Sequence, residues 1–209
     1  MTTILLADNH EVVRCGVHAL LAERPDWEVV AEAADGKEAV AQAIKTTPDV
    51  AIIDYSLPFL NGVEVTKQIR ERSPDTAVLI FTMHDCDIII HDSLRAGALG
   101  YVLKSDTQRR LVTAIDSVAQ HKPFFAGPAA KAALSTFRTK GGSDGTLSAR
   151  ERSVVQLIAE GHCNKKVASI LSLSLKTVET HRQKARDKLG LHATADLVRY
   201  AVRNNLIEA

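Results

Sequence analysis

The apolar residues of the first half fall into short, nearly continuous runs separated by longer amphipathic stretches. ThrIleLeuLeuAla at 3–7, GluValValAlaGluAla at 28–33, ValAlaIleIleAsp at 50–54, AlaValLeuIlePheThr at 77–82 and GlyTyrValLeuLys at 100–104 are apolar and rich in β-branched residues. Such runs suit strands buried on both faces of a parallel sheet, because crossover helices cover each face. Helix-length segments at 11–23, 36–46, 62–72, 87–97 and 106–120 lie between them, with Gly36, Pro48, Gly62, Pro74 and Gly97 marking their ends. Five strand–helix units in alternation predict a doubly wound α/β domain built on a five-stranded parallel sheet. Its functional edge is expected at the carboxyl ends of the strands.

The pattern changes after residue 121. HisLysProPhePheAlaGlyPro closes the first domain, 129–137 reads as a short Ala-rich helix, and 138–146 has the polar, glycine-rich composition of a linker. From Leu147 the period is helical throughout, with helices expected at 149–160, 164–171, 175–189 and 194–205. The predicted organisation is therefore a domain at 1–121, a linker at 122–146 and an all-α four-helix domain at 147–209. Ser148 with Glu151 forms a capping-box pattern, Asn164 and Ser174 stand where caps are needed, and Gly161 and Gly190 stand where helices stop. Leu175, Val178, Ala185 and Leu189 give the third helix its apolar face, leaving Lys176, Thr177, Glu179, Thr180, Arg182, Gln183, Lys184 and Arg186 outside. The last helix carries Leu197, Val198, Ala201, Val202 and Leu206, more apolar face than a small bundle needs, and is expected to form a homodimer contact.

Charge sharpens this division. Residues 1–125 hold 12 Lys and Arg against 18 Asp and Glu, a net of −6, whereas residues 126–209 hold 14 against 7, a net of +7. A basic domain joined to an acidic one suggests separate tasks, one of them facing a polyanion. A helix opening on short polar and basic side chains suits the major groove of double-stranded DNA. The three cysteines, Cys15, Cys86 and Cys163, are odd in number and far apart, so neither a zinc site nor a disulfide framework is expected. No apolar run approaches the ~18 residues of a membrane span. Met1 leads almost directly into a strand without the basic region of a secretory signal, and these features together point to a cytoplasmic protein.

The predicted strand ends collect one set of groups. Asp8 and Asn9 follow the first strand, Asp54 ends the third, Thr82 the fourth and Lys104 the fifth. Converging carboxylates, a hydroxyl and an ammonium at one sheet edge can hold a hard cation together with a phosphoryl group. Asp54 would serve as nucleophile, and Thr82 and Lys104 would take up the phosphoryl oxygens. With AlaAspAsnHis at 7–10, IleIleAspTyrSerLeuProPheLeuAsnGly at 52–62, PheThrMet at 81–83 and AlaGlyAlaLeuGlyTyrValLeuLys at 96–104, residues 3–120 resemble the flavodoxin-like receiver domain of two-component response regulators. The resemblance implies that Asp54 accepts phosphate from a histidine kinase. It also implies that Asp8, Asp54 and the main-chain carbonyl of Ser56 serve Mg²⁺, that Thr82 is the switch hydroxyl and that Tyr101 is the switch aromatic.

LeuSerAlaArgGluArg at 147–152, IleAlaGluGly at 158–161, AsnLysLysValAla at 164–168, LysThrValGluThrHis at 176–181 and LysLeuGly at 188–190 carry a second likeness. Residues 147–207 resemble the LuxR-type helix-turn-helix domain, and the whole chain resembles the NarL/FixJ subfamily. The resemblance implies that 175–189 is the recognition helix, with Glu179, Thr180 and Gln183 at base-contacting positions. Lys165, Lys176, Thr177, Arg182 and Lys184 would then touch phosphates, and His181 either enters the groove or packs on a neighbouring helix.

Two other readings use the same residues. An α/β aspartyl phosphatase would need a second acid two residues after its nucleophile, and that position is Ser56, so the chain is expected not to be an enzyme. A receiver that works without phosphorylation, as a dimerisation or ligand-sensing module, gains weight from Asn9. The family usually has a second acidic residue there, and Asn supplies a neutral oxygen. Asn9→Asp is therefore expected to bind Mg²⁺ more tightly than the native chain; equal affinities by direct titration would remove the role given to Asn9.

Overall fold

The computed structural model describes residues 1–125, 130, 147–191, 193–204 and 206–207. The chain divides into two compact units, Met1–Lys140 and Gly141–Ala209. In the first, strands β1 (Thr2–Ala7), β2 (Trp27–Ala33), β3 (Val50–Ile53), β4 (Ala77–Thr82) and β5 (Gly100–Leu103) alternate with helices α1 (Glu11–Ala22), α2 (Gly36–Thr46), α3 (Gly62–Arg72), α4 (Asp87–Ala96) and α5 (Gln108–Ala119). The strands are parallel, in the order β2-β1-β3-β4-β5-β6.

The sixth strand, β6 (Phe124–Phe125), corrects the five-stranded expectation. It pairs with β5 through Gly100–Phe124 and Tyr101–Phe125, and the Phe124 N–H donates to the Leu99 carbonyl at 2.9 Å. Two residues are too few to display a strand period, and Pro123 before them reads as a breaker. What orders them is the open edge of β5, whose backbone groups need partners. The segment expected to be linker thus begins inside the sheet. The helix expected at 129–137, apart from Ala130, and the linker at 138–146 lie outside the described residues.

Alternation along the strands supplies a core on both faces. Ile4, Leu6, Val50, Ile52, Leu79 and Phe81 meet Val17 and Leu21 of α1 and Leu111, Ile115 and Val118 of α5. Leu5, Ala51, Ile53, Val78 and Ile80 are buried on the opposite side, where α2 and α3 lie against the strands. Two helix starts close on the 54–62 loop where only glycine fits. The Gly36 N–H donates to the Pro58 carbonyl at 3.0 Å, and a Cβ on Gly36 would lie 2.0 Å from the Leu60 oxygen. The Gly62 N–H donates to the Tyr55 carbonyl at 2.8 Å, and a Cβ there would lie 2.7 Å from the Asp54 oxygen. Asn61 then caps α3 by accepting from the Glu64 N–H at 3.1 Å.

The second unit contains α6 (Ala149–Ala159), α7 (Asn164–Leu171), α8 (Leu175–Leu189) and α9 (Thr194–Arg203), matching the four expected helices. The capping box is present: Ser148 Oγ accepts from the Glu151 N–H at 3.3 Å, and Glu151 Oε2 accepts from the Ser148 N–H at 2.8 Å. Ser174 accepts from the Thr177 N–H at 3.1 Å, and Gly161 and Gly190 have the left-handed φ of +89° and +62° that favours glycine after a helix. Three expectations are corrected. Asn164 is the first helical residue, Cys163 holds the cap position, and the Asn164 side chain accepts from Arg182 instead. Leu175, expected inside, is 48% exposed. Leu197 and Ala201, expected at a dimer contact, are fully buried with Leu206 in the unit's own core, because the amphipathic α9 lays that stripe against α6. Only Val198 and Val202 of the expected set remain half-buried.

The Gly36 contact generates a direct test. Gly36→Ala is expected to destabilise the first unit by about 1–3 kcal/mol, the usual cost of forcing extra atoms into a packed site. A urea midpoint equal to that of the native chain would contradict it.

Candidate functional site

The carboxyl edge of the sheet assembles the strand-end set. Backbone ladders run past the strand ends to position it: the Asp54 N–H donates to the Ala7 carbonyl at 2.9 Å and the Lys104 N–H to the Thr82 carbonyl at 2.8 Å. Asp8, Asp54 and Thr82 are all buried, at 1%, 3% and 0% exposure. Lys104 Nζ lies 2.6 Å from Asp8 Oδ2 and 2.9 Å from Asp54 Oδ2, one ammonium bridging two carboxylates. Buried ions of like sign require such a partner, since neither carboxylate keeps its full hydration.

Groups able to ligate a cation lie at this bridge. Ligand atoms of Asp8, His10 and Asp54 lie within 4.8 Å of one another. Asn9 Oδ1 is buried without a hydrogen-bond partner, an acceptor that a cation would satisfy. These residues fit Mg²⁺, with fewer formal charges than two acids at positions 8 and 9 would give. The Asp8 main chain is held from α1, where Arg14 Nη1 donates to its carbonyl at 2.7 Å, and the His10 N–H donates to Asp8 Oδ1 at 2.9 Å.

His84 is a member of the site that the sequence pattern does not single out. It is buried, its Nε2 lies 2.8 Å from Ser56 Oγ, and its ring meets Tyr55 edge-on with centroids 4.9 Å apart. Its main-chain carbonyl accepts from the Tyr101 hydroxyl at 2.7 Å. His84 therefore joins the loop after Asp54 to the aromatic of β5. The one signal in the sequence was its position two residues beyond Thr82. Burial raises the Tyr101 hydroxyl pKa far above its ordinary value, so it stays a donor.

In the second unit, Lys165, Lys176, Glu179, Thr180, Gln183 and Lys184 are exposed, and Thr177 is half-buried. Thr180 Oγ1 donates to the Lys176 carbonyl at 2.9 Å, and Gln183 Nε2 donates to Asp187 Oδ1 at 2.7 Å. Arg182, expected to face phosphate, instead donates from Nη1 to Asn164 Oδ1 at 3.1 Å and from Nη2 to Thr194 Oγ1 at 2.8 Å, tying α8 to the starts of α7 and α9. His181 is half-buried with Nδ1 enclosed, which favours the packing alternative. Burial lowers its pKa, Glu151 opposing and Arg150 and Lys184 adding to the effect. Lys188 Nζ donates to Glu151 Oε2 at 2.8 Å, joining α8 to α6. Burial alone would raise the Glu151 pKa, but Lys188 and Ser148 outweigh it and hold the carboxyl below its ordinary value.

Cys15, Cys86 and Cys163 are free and exposed. Among the described residues no helix is long and apolar enough to cross a membrane.

Comparison with known proteins gives matching assignments for both units. Residues 4–116 match the response regulator receiver domain, and residues 145–201 match the bacterial regulatory proteins of the luxR family. The oxygen regulatory protein NreC of Staphylococcus epidermidis is 37% identical over 98% of this chain and 99% of its own length, and that of Staphylococcus carnosus is 36% identical over the same shares. Among solved structures, RcsB of Salmonella enterica serovar Typhimurium, bound to promoter rprA in the presence of phosphomimetic BeF3-, is 26% identical. It superposes with a TM-score of 0.71 over 96% of this chain and 98% of RcsB. ChrA, a response regulator of a heme-sensing two-component system, is 30% identical, with a TM-score of 0.54 over 99% of this chain and 98% of its own.

The buried histidine makes a pH prediction. Burial holds His84 below its ordinary pKa of 6.5, with Asp54 opposing and Lys104 adding to the depression. The folded chain thus favours the neutral ring. That stabilisation is complete above the unfolded pKa and is lost as pH falls from there towards the folded value. The native urea midpoint is expected to drop more steeply than that of His84→Gln as pH falls from about 7. Parallel pH curves would show that His84 carries none of the dependence.

Proposed function

The chain belongs to the response regulators that join a receiver domain to a LuxR-type helix-turn-helix domain, and from that premise we propose that phosphorylation of Asp54 by a histidine kinase controls its binding to double-stranded DNA in the cytoplasm. The Lys104 bridge between Asp8 and Asp54 carries this reading, since it is a preformed cation at the oxygen expected to react. In the reaction an Asp54 carboxylate oxygen attacks the phosphorus of a phosphohistidine. An O–P bond forms, the N–P bond breaks, and its electron pair leaves with the imidazole nitrogen. Lys104 then releases the carboxylate it clamps and takes a phosphoryl oxygen, and Thr82 donates its hydroxyl to another. Mg²⁺, held by Asp8, Asp54, Asn9 and the Ser56 carbonyl, would neutralise charge on the phosphoryl group. Tyr101 and the His84 carbonyl relay the change to the β5 edge.

On DNA, α8 enters the major groove with Glu179, Thr180 and Gln183 towards the bases, while Lys165, Lys176, Thr177 and Lys184 meet phosphates. Two copies on adjacent half-sites meet through the exposed parts of Val198 and Val202.

Two measurements test these roles. A small phosphodonor with Mg²⁺ is expected to add one phosphoryl group to the native chain, seen by mass, and to raise its DNA affinity, with Asp54→Ala showing neither. A native chain that binds DNA equally without becoming labelled would instead favour the phosphorylation-independent receiver that Asn9 suggests. Lys176→Ala is expected to weaken binding at all sequences and to lessen the salt slope by about 1. A retained native slope removes Lys176 from the phosphate contacts.

A further inference from the structure

Gln183, on the outward face of α8, does not stand alone. Its Nε2 donates to Asp187 Oδ1 at 2.7 Å, one helical turn further on, and both side chains are exposed. A carboxylate can only accept, so this bond selects which end of the amide faces Asp187. With the hydrogen trans to Oε1 on the carboxylate, the other hydrogen and Oε1 form a donor and an acceptor side by side. Adenine presents the complementary pair in the major groove, an N7 acceptor beside an N6 donor, whereas guanine presents two acceptors, N7 and O6.

We propose that Asp187 is a positioning residue that orients the Gln183 amide to read adenine, so that each operator half-site carries an A·T pair beneath Gln183. The proposal rests on α8 lying in the major groove as described above. Asp187 needs no contact with DNA. Its negative charge near the phosphates weakens binding to every sequence alike, while its hydrogen bond acts at one base pair. The two effects are read separately, one as affinity for every duplex and the other as preference at that single pair.

The test uses the full chain. Native protein selects its preferred duplexes from a randomised pool, and affinities are then measured on the selected duplex and on one with the A·T pair changed to G·C. The native chain is expected to prefer A·T about tenfold, the discrimination of a good bidentate contact, and Gln183→Ala is expected to lose that preference. Asp187→Ala should bind both duplexes more tightly yet lose most of the preference at that single position. Asp187→Glu, charged and still acceptor-only, should keep the native affinity and the preference. Native discrimination in Asp187→Ala, or a loss in Asp187→Glu equal to that in Asp187→Ala, overturns the positioning role. A native chain that selects no sequence overturns instead the placement of α8 on which the role depends.

Discussion

A single ammonium held between two buried carboxylates is the constraint on which the first unit depends. Asp8 and Asp54 would repel one another and resist burial without Lys104, whose Nζ lies within 3 Å of both. Meeting that requirement needs the ends of β1, β3 and β5 at one edge, and parallel pairing in fixed register delivers them there. The surrounding backbone follows from the same need. Gly62 lets α3 start against the Asp54 carbonyl, the Asn61 cap fixes that start, and the Thr82–Lys104 backbone bond aims the lysine.

The second unit solves a related problem with its charges distributed differently. Glu151 and Lys188 join α6 to α8, and Arg182 joins α8 to the beginnings of α7 and α9. These bonds fix how α8 sits in its bundle, so the face bearing Lys176, Glu179, Thr180, Gln183 and Lys184 is presented as a unit. A groove reader benefits from that rigidity, since base contacts depend on placement to a fraction of an ångström. Basic residues therefore divide into those that build the bundle and those left for a polyanion, a division that residue type alone does not reveal.

Much of this was legible along the chain. Strands buried on both faces announce themselves as apolar runs, so β1 to β5 and their helices lie within a few residues of expectation. The Ser148–Glu151 box, the Ser174 cap and the glycine stops depend on residues a few positions apart, and they too could be read directly. Asp8, Asp54, Thr82 and Lys104 were recognisable because each ends a strand, and parallel strands must bring their ends together.

What the sequence determined by itself is thus whatever depends on near neighbours or on a rule of topology. Tertiary structure decided the rest, because each remaining choice needed a partner distant in the chain. β6 exists because the edge of β5 is open to Phe124 and Phe125. His84 enters the site because Ser56 and Tyr101 reach it from other loops and strands. Asn164 accepts from an arginine 18 residues away instead of capping its own helix. Leu197 and Ala201 lie in the core because α6 offers their helix an apolar face before any second copy can. Periodicity shows that a side chain will be covered, but only the packed fold shows what covers it.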